Sequence, residues 1–318
     1  MNKNPGILFM GTPEFAVPSL ELLIKNKYTL LAVVTQPDRP RGRGNRVIPS
    51  PVKKLALEHG IPVLQPERLT VDFIQEVKQL APEVVVVAAY GKILPKSLLE
   101  IPPLGCINVH ASLLPEYRGA APVHRAILNG DSVTGVTIMY MAEGMDTGDI
   151  ILQKETEISF EETVGSLHQR LSIMGAELLD TALKKLLRGE ASRRKQDSTT
   201  ATYAPPLKRE EEKINWEQDA RHIHNQVRGM NPWPGAYTMW KGHRVKIWRS
   251  SVVESEAEGK PGEVIHLGKE GITVAAGRGA LTIEELQLSG GKKMPVGEFL
   301  RGNPLTPGTL LGGGPDAS

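Results

Sequence analysis

An asparagine and a histidine stand two residues apart in Asn108-Val109-His110, at the end of an apolar run. Further on lies the acidic, glycine-rich stretch Glu143-Gly144-Met145-Asp146-Thr147-Gly148-Asp149. If 105–110 is a strand, alternate side chains leave the same face, so Asn108 and His110 project together. An amide, an imidazole and a carboxylate are the types that donate to a developing oxyanion and move a proton. By itself an Asn-x-His spacing more often marks a satisfied structural pair, since two polar groups on a buried strand are costly unless bonded or used. Other familiar sites are missing from the sequence. Gly42-Arg43-Gly44 lacks the third glycine of a dinucleotide fingerprint, and there is no phosphate-loop lysine, HExxH helix or nucleophile elbow. His222 and His224, two apart on an expected helix, point away from each other and read as ordinary surface residues.

Groups of this kind need a sheet whose strand ends meet in a crevice. The first half alternates expected strands (6–10, 30–35, 62–64, 83–89, 105–110, 135–141, 150–158) with expected helices (13–25, 51–59, 71–80, 161–187). That alternation predicts an α/β class with a Rossmann-like, mostly parallel sheet. The run EVVVVAA at 83–89 is apolar and β-branched enough to be a central strand covered on both faces. Little apolar periodicity follows across 188–208, which reads as a linker. After a helix at 217–227, short glycine-punctuated strands (245–253, 262–266, 272–275, 280–288) suit a small OB-like β-barrel. The expected organisation is a catalytic domain over 1–189, a linker over 190–208, a β-barrel domain over 209–311, and a tail over 312–318 with no assigned role.

Composition bounds the function. With 318 residues, 40% hydrophobic and 23% charged, the chain is neither disordered nor fibrous. The single cysteine, Cys106, excludes an internal disulfide and a cysteine-based zinc site, and fits a reducing compartment. No apolar run reaches the ~18 residues of a membrane span, and no targeting segment is expected. A net charge of +2 confines any nucleic-acid contact to local patches. One patch spans 36–54, where Arg39, Arg41, Arg43, Arg46, Lys53 and Lys54 face only Asp38; its prolines and glycines read as a loop. A second spans 221–249, with Arg221, Arg228, Lys241, Arg244, Lys246 and Arg249 and no acid. Trp233, Tyr237, Trp240 and Trp248 interleave there, as in small β modules that hold RNA, although Trp233 itself is expected to be packed.

Several longer stretches carry a resemblance. NVHASLLPEYRGAAPVHRAILNG (108–130) and AEGMDTGDI (142–150) resemble the folate-dependent formyltransferase family. So do FMGTPEFAVPSLELL (9–23), TQPDRPRGRG (35–44), AAYGKILP (88–95) and NPWPGA (231–236), the last typical of its tRNA-acting branch. The resemblance covers the chain to about residue 300. It implies that Asn108, His110 and Asp146 are the catalytic trio for moving a formyl group from N10 of 10-formyltetrahydrofolate to a primary amine. Attack builds negative charge on the formyl oxygen, to which Asn108 and His110 would donate; one such donor is commonly worth ~3–4 kcal/mol of barrier. Asp146 would relay the amine proton to the departing N10. Ser112 has no evident base, so no acyl-enzyme is expected.

The resemblance also implies that Ser112, Leu113, Leu114 and Pro115 contact the folate, and that Tyr90, Lys92, Ile93 and Leu94 receive its pterin. Arg118 and Gly119 would shape the same loop. Arg39, Arg41, Arg43 and Arg46 would engage a tRNA acceptor end, and Lys241, Arg244, Lys246 and Arg249 its phosphates. The implied reaction is formylation of initiator methionyl-tRNA for translation initiation, by a cytoplasmic monomer without a metal. A formyltransferase acting on a small amine, such as a purine precursor or an amino sugar, and a non-catalytic RNA-binding protein remain as alternatives.

Overall fold

The computed structural model describes residues 5–41, 46–254 and 258–313, which form two compact units. The first unit takes 1–122, 133–157 and 168–205; the second takes 123–132, 158–167 and 206–318.

Eleven strands belong to the first unit: β1 (Gly6–Gly11), β2 (Thr29–Val34), β3 (Arg39–Arg41), β4 (Arg46–Ile48), β5 (Val63–Leu64), β6 (Val84–Ala88), β7 (Cys106–His110), β8 (Arg118–Gly119), β9 (Val133–Tyr140), β10 (Ile150–Glu157) and β11 (Tyr203–Ala204). Seven build one sheet in the order β10-β9-β7-β6-β1-β2-β5. The five from β7 to β5 run parallel, whereas β9 runs antiparallel to both of its neighbours, β7 and β10. The expected mostly parallel Rossmann-like sheet is therefore present. All five residues of β6 are buried, as a strand flanked by β1 and β7 and covered on both faces requires.

Helices α1 (Val17–Lys25), α2 (Pro51–Glu58), α3 (Val71–Leu80) and α4 (Lys96–Leu99) connect these strands, α5 (Pro122–Asn129) precedes β9, and α6 (Val164–Leu187) follows β10. Ser50 caps α2 by accepting the Lys53 N–H, and Thr70 caps α3 by accepting the Phe73 N–H. On one face of the sheet, Leu8, Met10, Val85, Val87 and Cys106 pack with Phe73, Ile74 and Val77 of α3.

Two stretches differ from expectation. The basic run 36–54, read as a loop, contains a β3–β4 hairpin with Arg39 opposite Ile48 and Arg41 opposite Arg46, and then the first turn of α2. Its prolines fall where no ladder bond is lost: Pro40 in an edge ribbon, Pro51 at a helix start. The stretch expected as a linker, 190–208, is laced onto the first unit. Arg194 exchanges backbone bonds with Ile150 (2.8 and 3.0 Å), and β11 pairs with β8.

The second unit carries α7 (Ala220–Gly229), β12 (Tyr237–Trp240), β13 (His243–Val253), β14 (Val264–Leu267), β15 (Ile272–Ala275), β16 (Ala280–Leu288), β17 (Met294–Pro295) and α8 (Val296–Gly302). Its antiparallel sheet runs β12-β13-β16-β15-β14, with β17 beside β16. It is a curled half-barrel, in keeping with the barrel-like expectation, and its outer strands share backbone bonds with flanking segments, Tyr237 with Ile214 and Val264 with Gly308 and Thr309. Helix α7, capped by Asp219 accepting the His222 N–H at 2.7 Å, buries Ile223 to Gly229 continuously. That embedding corrects two sequence expectations. His224 is not a surface residue: it is 2% exposed, stacked on Phe160, and its ring nitrogens meet the Ser250 hydroxyl (3.1 Å) and the Phe160 carbonyl (3.2 Å). Arg228 is not part of an exposed patch: it is buried on the carbonyls of Ser159 and Glu162 and on Asn225 Oδ1.

Candidate active site

Strand β7 lies between β6 and β9, with Asn108 opposite Val87 on one side and Met139 on the other, and His110 opposite Thr137. Here the parallel run gives way to antiparallel pairing with β9, and the carboxyl end of β7 lies on the same edge of the sheet as those of β1 and β6. Asn108 is half-buried, and among the described residues its carboxamide has no protein hydrogen-bond partner. His110 is 6% exposed, and each ring nitrogen faces a polar group. Its Nε2 lies 3.0 Å from the Tyr117 carbonyl, which can only accept, so Nε2 carries a proton. Nδ1 faces Asp146 Oδ2 at 3.7 Å.

Asp146 is held from a second side, since its Oδ2 accepts the Gly119 N–H at 2.8 Å. Tyr117 and Asp146 both have left-handed backbones, at φ 56° and 50°, which L-residues adopt only when surrounding contacts hold them. Two glycines let these loops approach. Gly119, at φ 122°, lies where a Cβ would press 2.8 Å from the Ala204 carbonyl, and a Cβ on Gly148 would collide with the Tyr140 carbonyl.

The segment 112–115 is tied down internally. Ser112 is buried and its hydroxyl donates to the Glu116 carbonyl at 2.6 Å. Thr137 Oγ1 donates to the Ser112 carbonyl (2.7 Å) and accepts from the Leu114 N–H (3.1 Å) and Gln153 Nε2 (3.0 Å). Leu114 packs with Met139 and Ile150, Leu113 lies over Gly135, and the Pro115 carbonyl accepts the Thr202 N–H. These residues form a rigid wall beside β7.

The four residues after β6 separate by environment. Tyr90 and Leu94 are core residues, each 2% exposed. Burial pushes the Tyr90 phenol up to about 12, and among the described residues its hydroxyl has no partner. Lys92 Nζ donates to the carbonyls of Pro66 (2.8 Å) and Glu67 (2.7 Å). Its pKa is held below the usual lysine value first by burial and then by Arg39. Ile93 is 78% exposed, next to left-handed Gly91.

Of the expected RNA contacts, Arg39 is exposed; Arg41 and Arg46 lie on β3 and β4, and Arg43 falls outside the described residues. In the second unit Lys241 lies over Trp240 and Arg244 over Tyr237. Lys246 donates to the Pro234 carbonyl and Arg249 is paired with Glu284. Trp233, expected to be packed, is 66% exposed, its ring edge-on to His124.

Sequence reading missed Tyr117, Thr137 and Gln196. Gln196 Nε2 donates to the Asp146 and Gly148 carbonyls at 2.8 Å each. Tyr117 stands inside the stretch that carries the resemblance, but its role is played by a carbonyl, which any residue type supplies. Gln196 lies in the least patterned part of the chain.

This two-unit architecture, with an amide and an imidazole at the carboxyl end of β7 and an acid beside them, has its counterpart among known proteins. The formyl transferase pattern matches residues 6–183, the formyl transferase C-terminal domain matches 206–304, and the chain belongs to that family. A methionyl-tRNA formyltransferase of Pelotomaculum thermopropionicum is 52% identical over 308 residues, covering 96% of this chain and 98% of its own. Among solved structures, HypX from Aquifex aeolicus in complex with tetrahydrofolic acid aligns over 93% of this chain, at TM-score 0.62 and 21% identity. The chain spans about half of HypX (47%). The methionyl-tRNA formyltransferase of Clostridium thermocellum aligns over 78% of this chain and 93% of its own, at TM-score 0.55 and 18% identity. At such identities these two structures speak to the fold alone.

Proposed function

We propose that this chain transfers the formyl group of 10-formyltetrahydrofolate to the free amino group of methionyl-tRNA, giving formylmethionyl-tRNA for translation initiation. The observation that carries the reading is the convergence on β7. An unpartnered Asn108 carboxamide and the Nδ1 face of His110 lie on one strand, and Asp146 is 3.7 Å from that nitrogen. Relatives named methionyl-tRNA formyltransferase, matched over 96% of this chain, support the choice of acceptor.

When bound, 10-formyltetrahydrofolate supplies the electrophilic formyl carbon, and exposed Gly91 and Ile93 and the wall at 112–115 would hold it. Asn108 donates its amide N–H to the negative charge developing on the formyl oxygen. His110, with Nε2–H committed to Tyr117, can take or give a proton only at Nδ1. That nitrogen and Asp146 receive the proton lost by the attacking amine. The same proton goes to N10 as the formyl–N10 bond breaks and the formyl–amine bond is complete. The fixed Gly119 bond keeps Asp146 at its post throughout, so no group has to reorganise at the moment of reaction.

The tRNA contacts follow charge: Arg39 with its hairpin neighbours, and Lys241 and Arg244 on the second unit. A monomer in the cytoplasm is the expected working state. No helix among the described residues is long and apolar enough to cross a membrane. The decisive assay offers 10-formyltetrahydrofolate with Met-tRNA, free methionine and small amines including amino sugars. Formylation of Met-tRNA alone supports the proposal. Preference for a small amine selects the nearest alternative, and binding of tRNA without turnover selects an RNA-binding protein.

A further inference from the structure

We infer that Gln196 is a positioning residue for Asp146, and that the stretch 191–204 is a strap that fixes the reaction geometry. The inference rests on the reading of Asp146 as the proton carrier. Asp146 sits in a left-handed backbone at φ 50°, and its loop from Ala142 to Thr147 is largely exposed, so the loop's own packing does not hold that conformation. The carboxylate of Asp146 is held by the Gly119 N–H, and the residue's backbone is held by one carboxamide. Both Nε2 protons of Gln196 are spent on the loop, one on the Asp146 carbonyl and one on the Gly148 carbonyl, bracketing the residue pair that turns the chain.

The orientation of that carboxamide is itself decided. Arg118, 3% exposed, aims Nε (3.1 Å) and Nη2 (2.8 Å) at Gln196 Oε1, so the oxygen must face the guanidinium and the nitrogen must face the loop. Arg118 belongs to β8, whose next residue, Gly119, donates its N–H to Asp146 Oδ2. Backbone and carboxylate of Asp146 are thereby referred to one short strand, the first through Gln196 and the second directly.

Gln196 is also delivered from fixed points. Upstream, Arg194 is paired with Ile150 at the start of β10, Ser192 donates to the Ile151 carbonyl, and Arg193 lies 3.8 Å over the Tyr140 ring. Downstream, Thr202 Oγ1 accepts the Tyr117 N–H at 2.8 Å and its carbonyl accepts the Arg118 N–H. Tyr117 is the residue whose carbonyl holds His110, so the strap touches both ends of the His110–Asp146 pair.

The test uses Gln196→Glu in the full chain. A glutamate keeps the shape and the Arg118 contact but turns lone pairs instead of protons toward the two carbonyls. Gln196→Met, close in size with neither charge nor donor, serves as the second variant. Expected for both is a kcat lower by about 100-fold, the scale of a small misplacement of a reacting group, with KM for tRNA and for folate little changed. Hydrogen exchange at the Gly119 amide should quicken, because Asp146 no longer accepts it steadily. In an Asp146→Asn background, Gln196→Glu should lower kcat no further. An undiminished kcat, the same fold-loss in both backgrounds, or unchanged Gly119 protection overturns the inference. A wild-type chain that does not formylate Met-tRNA defeats the functional reading instead, and the Gly119 exchange still decides whether Gln196 holds Asp146.

Discussion

The Nε2–H of His110 donates to the Tyr117 carbonyl at 3.0 Å, and that one bond decides which ring nitrogen meets the acid. With Nε2 committed, Nδ1 is the nitrogen 3.7 Å from Asp146, a separation too long for a direct hydrogen bond. An amine or a water can stand between them. The pair is thus not a directly hydrogen-bonded one, and in the proposed reaction it serves as an open relay.

Among the described residues the Asn108 carboxamide spends no hydrogen bond on the fold, so its loss should be felt in turnover alone. Asn108→Ala is expected to lower kcat by about 10²–10³-fold while the thermal midpoint stays put. Steady-state formylation and a melting curve check both halves.

Asp146→Asn keeps an oxygen for the Gly119 N–H and a residue type tolerant of the left-handed region. It loses the ability to carry a proton. The expected result is a fall in kcat of at least about 100-fold with an unchanged fold, read by single-turnover kinetics beside circular dichroism.

Ile93 and Lys92, neighbours in sequence, should behave oppositely. Ile93→Ser removes an exposed apolar contact and should raise KM for folate several-fold at constant stability. Lys92→Met strips two carbonyls of a charged donor and should cost about 1 kcal/mol of stability with little change in that KM. Denaturant midpoints and folate titrations separate the two.

His224 makes the second unit sensitive to acid. Burial holds its pKa below the unfolded value of 6.5, so the neutral ring is the stable folded form. The corresponding stability is complete above 6.5 and declines as pH falls below it, since the unfolded chain binds the proton first. Urea midpoints measured across this window should drop with pH, and less steeply for His224→Gln.

Arg39 is the hairpin cation whose exposure is clear. Arg39→Ala should weaken tRNA binding and reduce the slope of log affinity against log salt by up to about one, with folate KM unchanged. An unaltered slope would remove Arg39 from the phosphate contacts.

Much was legible in the residues alone because it depends on short-range pattern. The apolar β-branched run at 83–89 had to become a doubly covered strand, alternation placed Asn108 and His110 on one face, and composition marked the change to a small β domain. The resemblance carried by 108–130 and 142–150 implied that Asp146 stands at the same site. Environment was not legible. Nothing local distinguishes Tyr90, sunk in the core, from Ile93, exposed three residues later, or buried His224 from a surface histidine on the same helix. Trp233 reversed its expected placement for the same reason.

Tertiary structure alone decided which distant groups meet. Gln196 and Asp146 are 50 residues apart, and Tyr117 and Thr202 are 85 apart. Such pairs leave no periodicity, because a hydrogen bond between segments is set by where the sheet has carried each backbone. Local residue types therefore chose the reacting groups, and the folded chain chose their separation, their free nitrogen and the strap that holds them.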